Sequence, residues 1–182
     1  PRPQDRHLVI ASAAQSLRAA AKEANALGYK TVILSDALEG ESREIGRVLA
    51  TMAMSAATSG LPLSGPAVIL SGGETTVSVA GDSAGRGGRN TEMLLSAALR
   101  LNSHERIWAL AADTDGIDGA GEAAGAIATP SSLDRCRRLG LNPQAHLDGH
   151  DSGSLFAALG DQVITGPTLT NVNDFRAFLI AP

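Results

Sequence analysis

Apolar and polar positions along the first sixty residues fall into blocks that predict strand, helix, strand, helix. The apolar run at 7–11 reads as a short strand, and Ser12 is placed to cap an alanine-rich helix over 13–27 that Gly28 ends. Thr31-Val32-Ile33-Leu34 has the unbroken, β-branched character of a buried strand. After a loop at 36–40, Ile45, Val48, Leu49, Met52 and Met54 are among the apolar positions of an amphipathic helix over 41–59, closed by Gly60-Leu61-Pro62. Such alternation implies parallel strands with right-handed crossovers.

The middle of the chain changes character. Apolar runs at 67–70 and 75–79 are separated by Ser71-Gly72-Gly73-Glu74, which is hairpin spacing and predicts antiparallel pairing. A helix over 90–101 follows a Gly/Arg loop, and the strand at 107–112 delivers a carboxylate-rich segment at its carboxyl end. Short helices at 131–139 and 152–159 and strands at 161–164 and 175–180 complete the reading, with a polar loop at 166–171 between the last two strands. No internal repeat or low-complexity linker divides the chain. The expected fold is one α/β unit over 1–182, a mixed sheet covered by helices in a three-layer α/β/α arrangement.

Composition narrows the partners. Hydrophobic residues make up 43% of the 182 positions, enough for a substantial core, and they are mainly Ala, Leu, Val and Ile. A formal net charge of -4 offers no attraction to nucleic acid or an anionic membrane. Only Lys22 and Lys30 are lysines, so a phosphate contact within this chain falls to arginine or to backbone N–H groups. Cys136 is the sole cysteine, which excludes an intramolecular disulfide, fits a reducing cytoplasm and reads as a helix residue without chemistry. No apolar run reaches the roughly eighteen residues of a membrane span. The chain opens Pro1-Arg2-Pro3 without an initiating Met, as a fragment would.

Three glycine-dense polar segments carry the candidate chemistry: Ser71-Gly72-Gly73-Glu74-Thr75-Thr76, Gly85-Arg86-Gly87-Gly88-Arg89-Asn90 and Asp113-Thr114-Asp115-Gly116-Ile117-Asp118-Gly119. Glycine lets backbone amides approach an anion, arginine adds a planar charged fork, and carboxylates at a strand end suit a cation or a hydroxyl. The second segment opens a helix, whose free N–H groups favour anions. It lacks the Gly-Lys-Ser/Thr ending of a Walker A loop, and its glycines miss the dinucleotide spacing. A mobile Gly-rich loop and a set of Asx turns are the plainer accounts of the second and third segments. The third fails as a calcium loop, because Ile117 and Asp118 occupy the fifth and sixth places. His150-Asp151-Ser152 cannot be a catalytic triad, since sequence neighbours diverge in direction; capping of the following helix accounts for Asp151 or Ser152.

These segments resemble the C-terminal part of class II glycerate 2-kinases, the family that carries the MOFRL domain and is also known under the name hydroxypyruvate reductase of tartrate utilisation. Ser71 to Val77, Gly87 to Glu92, Thr114 to Gly119, Ala124-Gly125-Ala126 and Thr165 to Asp174 match in family order, with Leu38-Glu39-Gly40-Glu41 upstream. Thr91 stands where Gln is usual, and His150 where Asn is usual. The resemblance covers nearly the whole chain and places a MOFRL-like core at about 66–182. It implies ATP- and Mg2+-dependent phosphorylation of the D-glycerate 2-hydroxyl, in a cleft shared with a Rossmann-like N-terminal domain that supplies a lysine.

In that picture Arg89, Asp115 and Glu74 are catalytic: Arg89 neutralises a carboxylate or phosphoryl oxygen, and Glu74 and Asp115 orient a hydroxyl or a metal-bound water. Ser71, Gly72, Gly73, Gly87, Gly88, Asn90, Thr114 and Gly116 bind substrate, and no metal ligand is assigned to the chain itself. A homodimer is compatible with the family. Two other classes stand beside the kinase: an oxidoreductase acting on hydroxypyruvate, against which the missing dinucleotide fingerprint argues, and a non-catalytic ligand-binding module.

Overall fold

The computed structural model describes residues 8–79, 85–119 and 121–182. Eight strands and six helices are described, in the order α1 (Ala13–Ala26), β1 (Lys30–Ile33), β2 (Gly40–Glu41), α2 (Ser42–Ser59), β3 (Ala67–Gly73), β4 (Thr75–Thr76), α3 (Arg89–Leu101), β5 (Ile107–Asp113), β6 (Gly125–Ala128), α4 (Ser132–Arg138), α5 (Pro143–Asp148), α6 (Ser152–Leu159), β7 (Gln162–Val163) and β8 (Asp174–Ile180). Six strands form one sheet in the order β1-β3-β8-β5-β6-β7, while β2 and β4 form a separate two-stranded sheet. β1 pairs with β3 in parallel, and β8 runs antiparallel to both β3 and β5. The sheet is therefore mixed because the last strand inserts at its centre.

Helices cover both faces. α2 and α3 bury Leu49, Ala53, Met93, Leu94 and Ala97 against Ile69, Ile107, Ala109, Phe178 and Ile180, with α4, α5 and α6 packed around α3. On the opposite face α1 sets Leu17, Ala20 and Ala24 over Val68, Leu70 and Leu179. Alternation along β8 puts Asp174, Arg176, Phe178 and Ile180 on the buried side. Two charged residues thus stand in the row that continues into the apolar core. Cys136 is buried there as a free thiol on α4, and burial pushes its pKa up.

Three sequence expectations change. Residues 8–10 form no strand, and Leu8, Val9 and Ile10 are 82%, 70% and 85% exposed; β1 forms the sheet edge beside β3, and no ladder reaches them. Residue 7 lies outside the described residues. The hairpin at 67–79 does not close either. β3 runs on to Gly73, whose φ of +115° turns the chain away, and Thr75–Thr76 pairs in parallel with Gly40–Glu41. A Cβ on Gly73 would lie 2.1 Å from the Leu38 amide nitrogen, so no other residue fits that turn. Finally, β6 and α5 escape the hydrophobic pattern, although Asn142 caps α5 and Pro143 opens it.

Candidate functional site

The carboxyl end of β3, the start of β8 and the carboxyl end of β5 meet in one row, with Asp174 opposite Gly73 on one side and Asp113 on the other. Arg89, the first residue of α3, reaches over this row. Its Nε donates to Asp174 Oδ1 at 2.9 Å, Nη1 to Glu74 Oε1 at 2.8 Å and Nη2 to Asp113 Oδ2 at 2.5 Å. Three of its five N–H groups are engaged among the described residues. Burial pulls the Arg89 pKa down, but the hydrogen bond to Asp174 and the charges of Asp174, Asp113 and Glu74 carry it above its ordinary value. Asp113 moves up: burial dominates, with Asp115 and Asp174 adding to it, against the Asp115 amide and Arg89.

Behind this row lies a second arginine. Arg176 is fully buried, and its Nη2 donates to Asp174 Oδ2 at 2.5 Å and to Thr75 Oγ1 at 3.4 Å, while Nη1 donates to the Gly72 carbonyl at 3.2 Å. Asp174 Oδ1 also accepts from Asn90 Nδ2 at 2.8 Å. Asp174, Asn90 and Arg176 were not identified as a unit from sequence. The available signal was a charged pair two residues apart within an otherwise apolar strand.

The N-terminus of α3 is occupied by the chain's own carboxylate, which corrects the expectation of an open anion site at that helix start. Asp118 Oδ1 accepts from the Asn90 amide at 3.0 Å and Oδ2 from the Thr91 amide at 2.9 Å. Burial pushes the Asp118 pKa up, against the hydrogen bonds from Asn90 and Thr91. Gly88 permits the approach: a Cβ there would stand 2.3 Å from Asp118 Cγ. Residues 80–84, which precede the Gly/Arg segment, lie outside the described residues.

Asp115 sits where two loops are stitched together. Its Oδ1 accepts from the Ile117 amide at 2.9 Å and its Oδ2 from Asn171 Nδ2 at 3.2 Å, while Thr114 Oγ1 donates to the Asn173 carbonyl at 2.7 Å. The polar loop 165–174 is thereby fastened beside the 113–118 turn. Asp115 takes the Asx-turn geometry of the plainer sequence account and also faces the cleft.

A cleft of ≈ 740 Å³ opens over these groups. Of the residues chosen from sequence, Glu74, Gly87, Gly88, Arg89 and Asp115 line it, joined by Asp113, Glu92 and His150. Ser71, Gly72, Gly73, Asn90, Thr114 and Gly116 are not in its wall. Ser71 and Asn90 are buried, and Gly72 gives its N–H to the Ser35 carbonyl and accepts from the Leu38 amide. Those glycine contacts serve the chain's own 35–38 loop.

Glu92 forms a further buried charge centre at the cleft wall. Its Oε1 accepts from Arg43 Nη2 at 2.8 Å, and its Oε2 lies 2.8 Å from His150 Nδ1. His150 thus pairs with Glu92, not with Asp151 or Ser152, and no triad forms. Asp151 is the N-cap residue of α6, but its carboxylate accepts from the Arg86 amide at 2.9 Å and lies 3.0 Å from His146 Nδ1. Among the described residues, no group of three or more His, Cys, Asp or Glu is placed to hold a metal ion. Glu74, Asp113 and Asp174 are committed to Arg89.

Fold and site together define an α/β module with an arginine clamped at its cleft. Residues 67–174 match the model of the MOFRL family, and the chain belongs to that family. It is 57% identical over 172 residues to a protein of Agrobacterium vitis provisionally named a hydroxypyruvate reductase, covering 94% of this chain and 39% of that one. It is 37% identical to a glycerate 2-kinase of Pyrococcus horikoshii, over 94% of this chain and 38% of the relative. The crystal structure of a glycerate kinase from Thermotoga maritima superposes with a TM-score of 0.91 at 37% identity, covering 96% of this chain and 42% of the other. The chain thus spans about two-fifths of the length of these relatives.

Proposed function

We propose that this chain is the C-terminal part of a glycerate 2-kinase, a transferase that phosphorylates the 2-hydroxyl of D-glycerate with ATP. The observation that carries the reading is Arg89: a guanidinium held in the wall of a cleft by three carboxylates, with three of its five N–H groups engaged among the described residues. In phosphoryl transfer the substrate hydroxyl oxygen bonds to the γ-phosphorus, the bond to the β-phosphate oxygen breaks, and ADP leaves while the hydroxyl loses its proton. Catalysis of this kind rests on positioning and on charge placed where charge develops. Arg89 supplies that charge, and Glu74 and Asp115 at the rim accept from a substrate hydroxyl.

The charged residues lining the cleft are mainly acidic, so anionic glycerate and ATP need positive charge from elsewhere. Mg2+ would arrive bound to the ATP phosphates and would neutralise part of their charge; among the described residues, no group of three or more His, Cys, Asp or Glu is placed to hold it. The remaining positive charge is assigned to an N-terminal domain of the same enzyme, in keeping with the greater length of the relatives. The hydroxypyruvate reductase reading gains nothing from this geometry, since no dinucleotide loop faces the cleft among the described residues.

The test is a pair of assays of the full-length protein, one with ATP and D-glycerate and one with NADH and hydroxypyruvate. Release of ADP with formation of 2-phosphoglycerate is expected. Oxidation of NADH by hydroxypyruvate without ADP release would overturn the reading.

A further inference from the structure

Among the described residues, the most deeply buried ion pair, Arg176 with Asp174, is not explained by stability alone. Burying an ion pair generally does no better than well-packed apolar residues of similar volume, because desolvation offsets the attraction. Yet Arg176 and Asp174 are both fully buried, in the row that continues as Phe178 and Ile180. What the pair does provide is geometry. Arg176 bonds Gly72 and Thr75, which flank Glu74, while Asp174 is the register partner of Gly73 and Asp113. The two residues therefore tie together the three strand ends at or beside which Arg89's described carboxylate partners lie.

Asp174 divides its oxygens accordingly: Oδ2 accepts from Arg176, and Oδ1 accepts from Arg89 Nε and Asn90 Nδ2. A carboxylate free to rotate could not fix the direction of a guanidinium. One locked on its far side by a buried arginine can. Glu74, with a side chain 56% exposed, gives no comparable anchorage.

We propose that Asp174 is a positioning residue for Arg89, and that Arg176 is buried in order to lock Asp174. This inference rests on the kinase reading for its catalytic consequence, but not for its structural content. Removal of the lock leaves Arg89 charged and present while allowing it to swing, so turnover falls more than substrate binding.

The experiment uses the full-length protein as wild type, Asp174→Asn and Arg176→Met, with the Arg89 Nε–H resonance followed by NMR after selective 15N-arginine labelling and assigned by its loss in Arg89→Lys. In the wild type this proton is expected to exchange slowly with solvent, and in both variants rapidly. kcat for glycerate phosphorylation is expected to fall about 100-fold, the loss that a misplacement of about 1 Å brings, with KM changed less than about threefold. Arg176→Met removes a buried charge without emptying the core, so it keeps the test open if Asp174→Asn does not fold. A folded variant with an unaltered Nε–H resonance and unaltered kcat would overturn the proposal. A wild type that phosphorylates nothing would overturn the kinase reading instead, and the exchange of the Nε–H would still decide whether Asp174 holds Arg89.

Discussion

Arg89 Nε lies 2.9 Å from Asp174 Oδ1, which joins the first residue of α3 to the first residue of β8. Eighty-five residues of chain separate them. This contact places a cation on a cleft whose other charged lining groups are mainly acidic.

Arg89→Ala in the full-length enzyme is expected to cost about 2–4 kcal/mol of transition-state stabilisation, the range for loss of a charged donor from a desolvated site. Arg89→Lys is expected to restore little, because an ammonium cannot span three carboxylates that a planar fork bridges. Steady-state kcat/KM values for the three proteins check this, and an alanine variant with wild-type turnover would remove Arg89 from the mechanism.

Asp118→Ala should destabilise the fold by about 1–3 kcal/mol, since it leaves the buried Asn90 and Thr91 amides without an acceptor. Asp118→Asn retains one acceptor oxygen and is expected to lose less. Urea unfolding measures both, and an alanine variant as stable as the wild type would show that the cap is not needed.

Gly46 on α2 lies against α3 so closely that a Cβ would stand 2.2 Å from the Met93 carbonyl oxygen. Gly46→Ala must push the two helices apart, and overpacking of this kind costs about 1–3 kcal/mol despite alanine's better helix propensity. Thermal unfolding is expected to show a lowered Tm; a raised one would mean that the helices separate freely.

Glu41 carries a pH-dependent contribution. The Ser78 amide, 3.0 Å from Oε1, is the main cause holding its pKa below the ordinary 4.5, against a smaller opposing effect of burial. A depressed folded-state pKa means stability that is present above the unfolded value and lost as pH falls through the folded one. The stability difference between wild type and Glu41→Gln should therefore be constant near neutrality and shrink on acidification below 4.5. A difference that grows in acid would reverse the assignment.

Local signals settled most of the elements. Ser12 caps α1 through the Gln15 amide, and Gly60 ends α2 in the left-handed conformation. The glycine-dense segments likewise marked Glu74, Arg89 and Asp115 as neighbours of a cleft, because backbone without side chains and clustered polar groups do not build a core. Pairing was different. The spacing of 67–70 and 75–79 is that of a hairpin, yet β8 from the far end of the chain took the place beside β3, a choice governed by long-range packing that no local window contains. The site followed suit: whether Arg89 faces a free anion or three carboxylates, and whether a helix start stays open or receives Asp118, depended on strand ends brought together only by the order of the sheet.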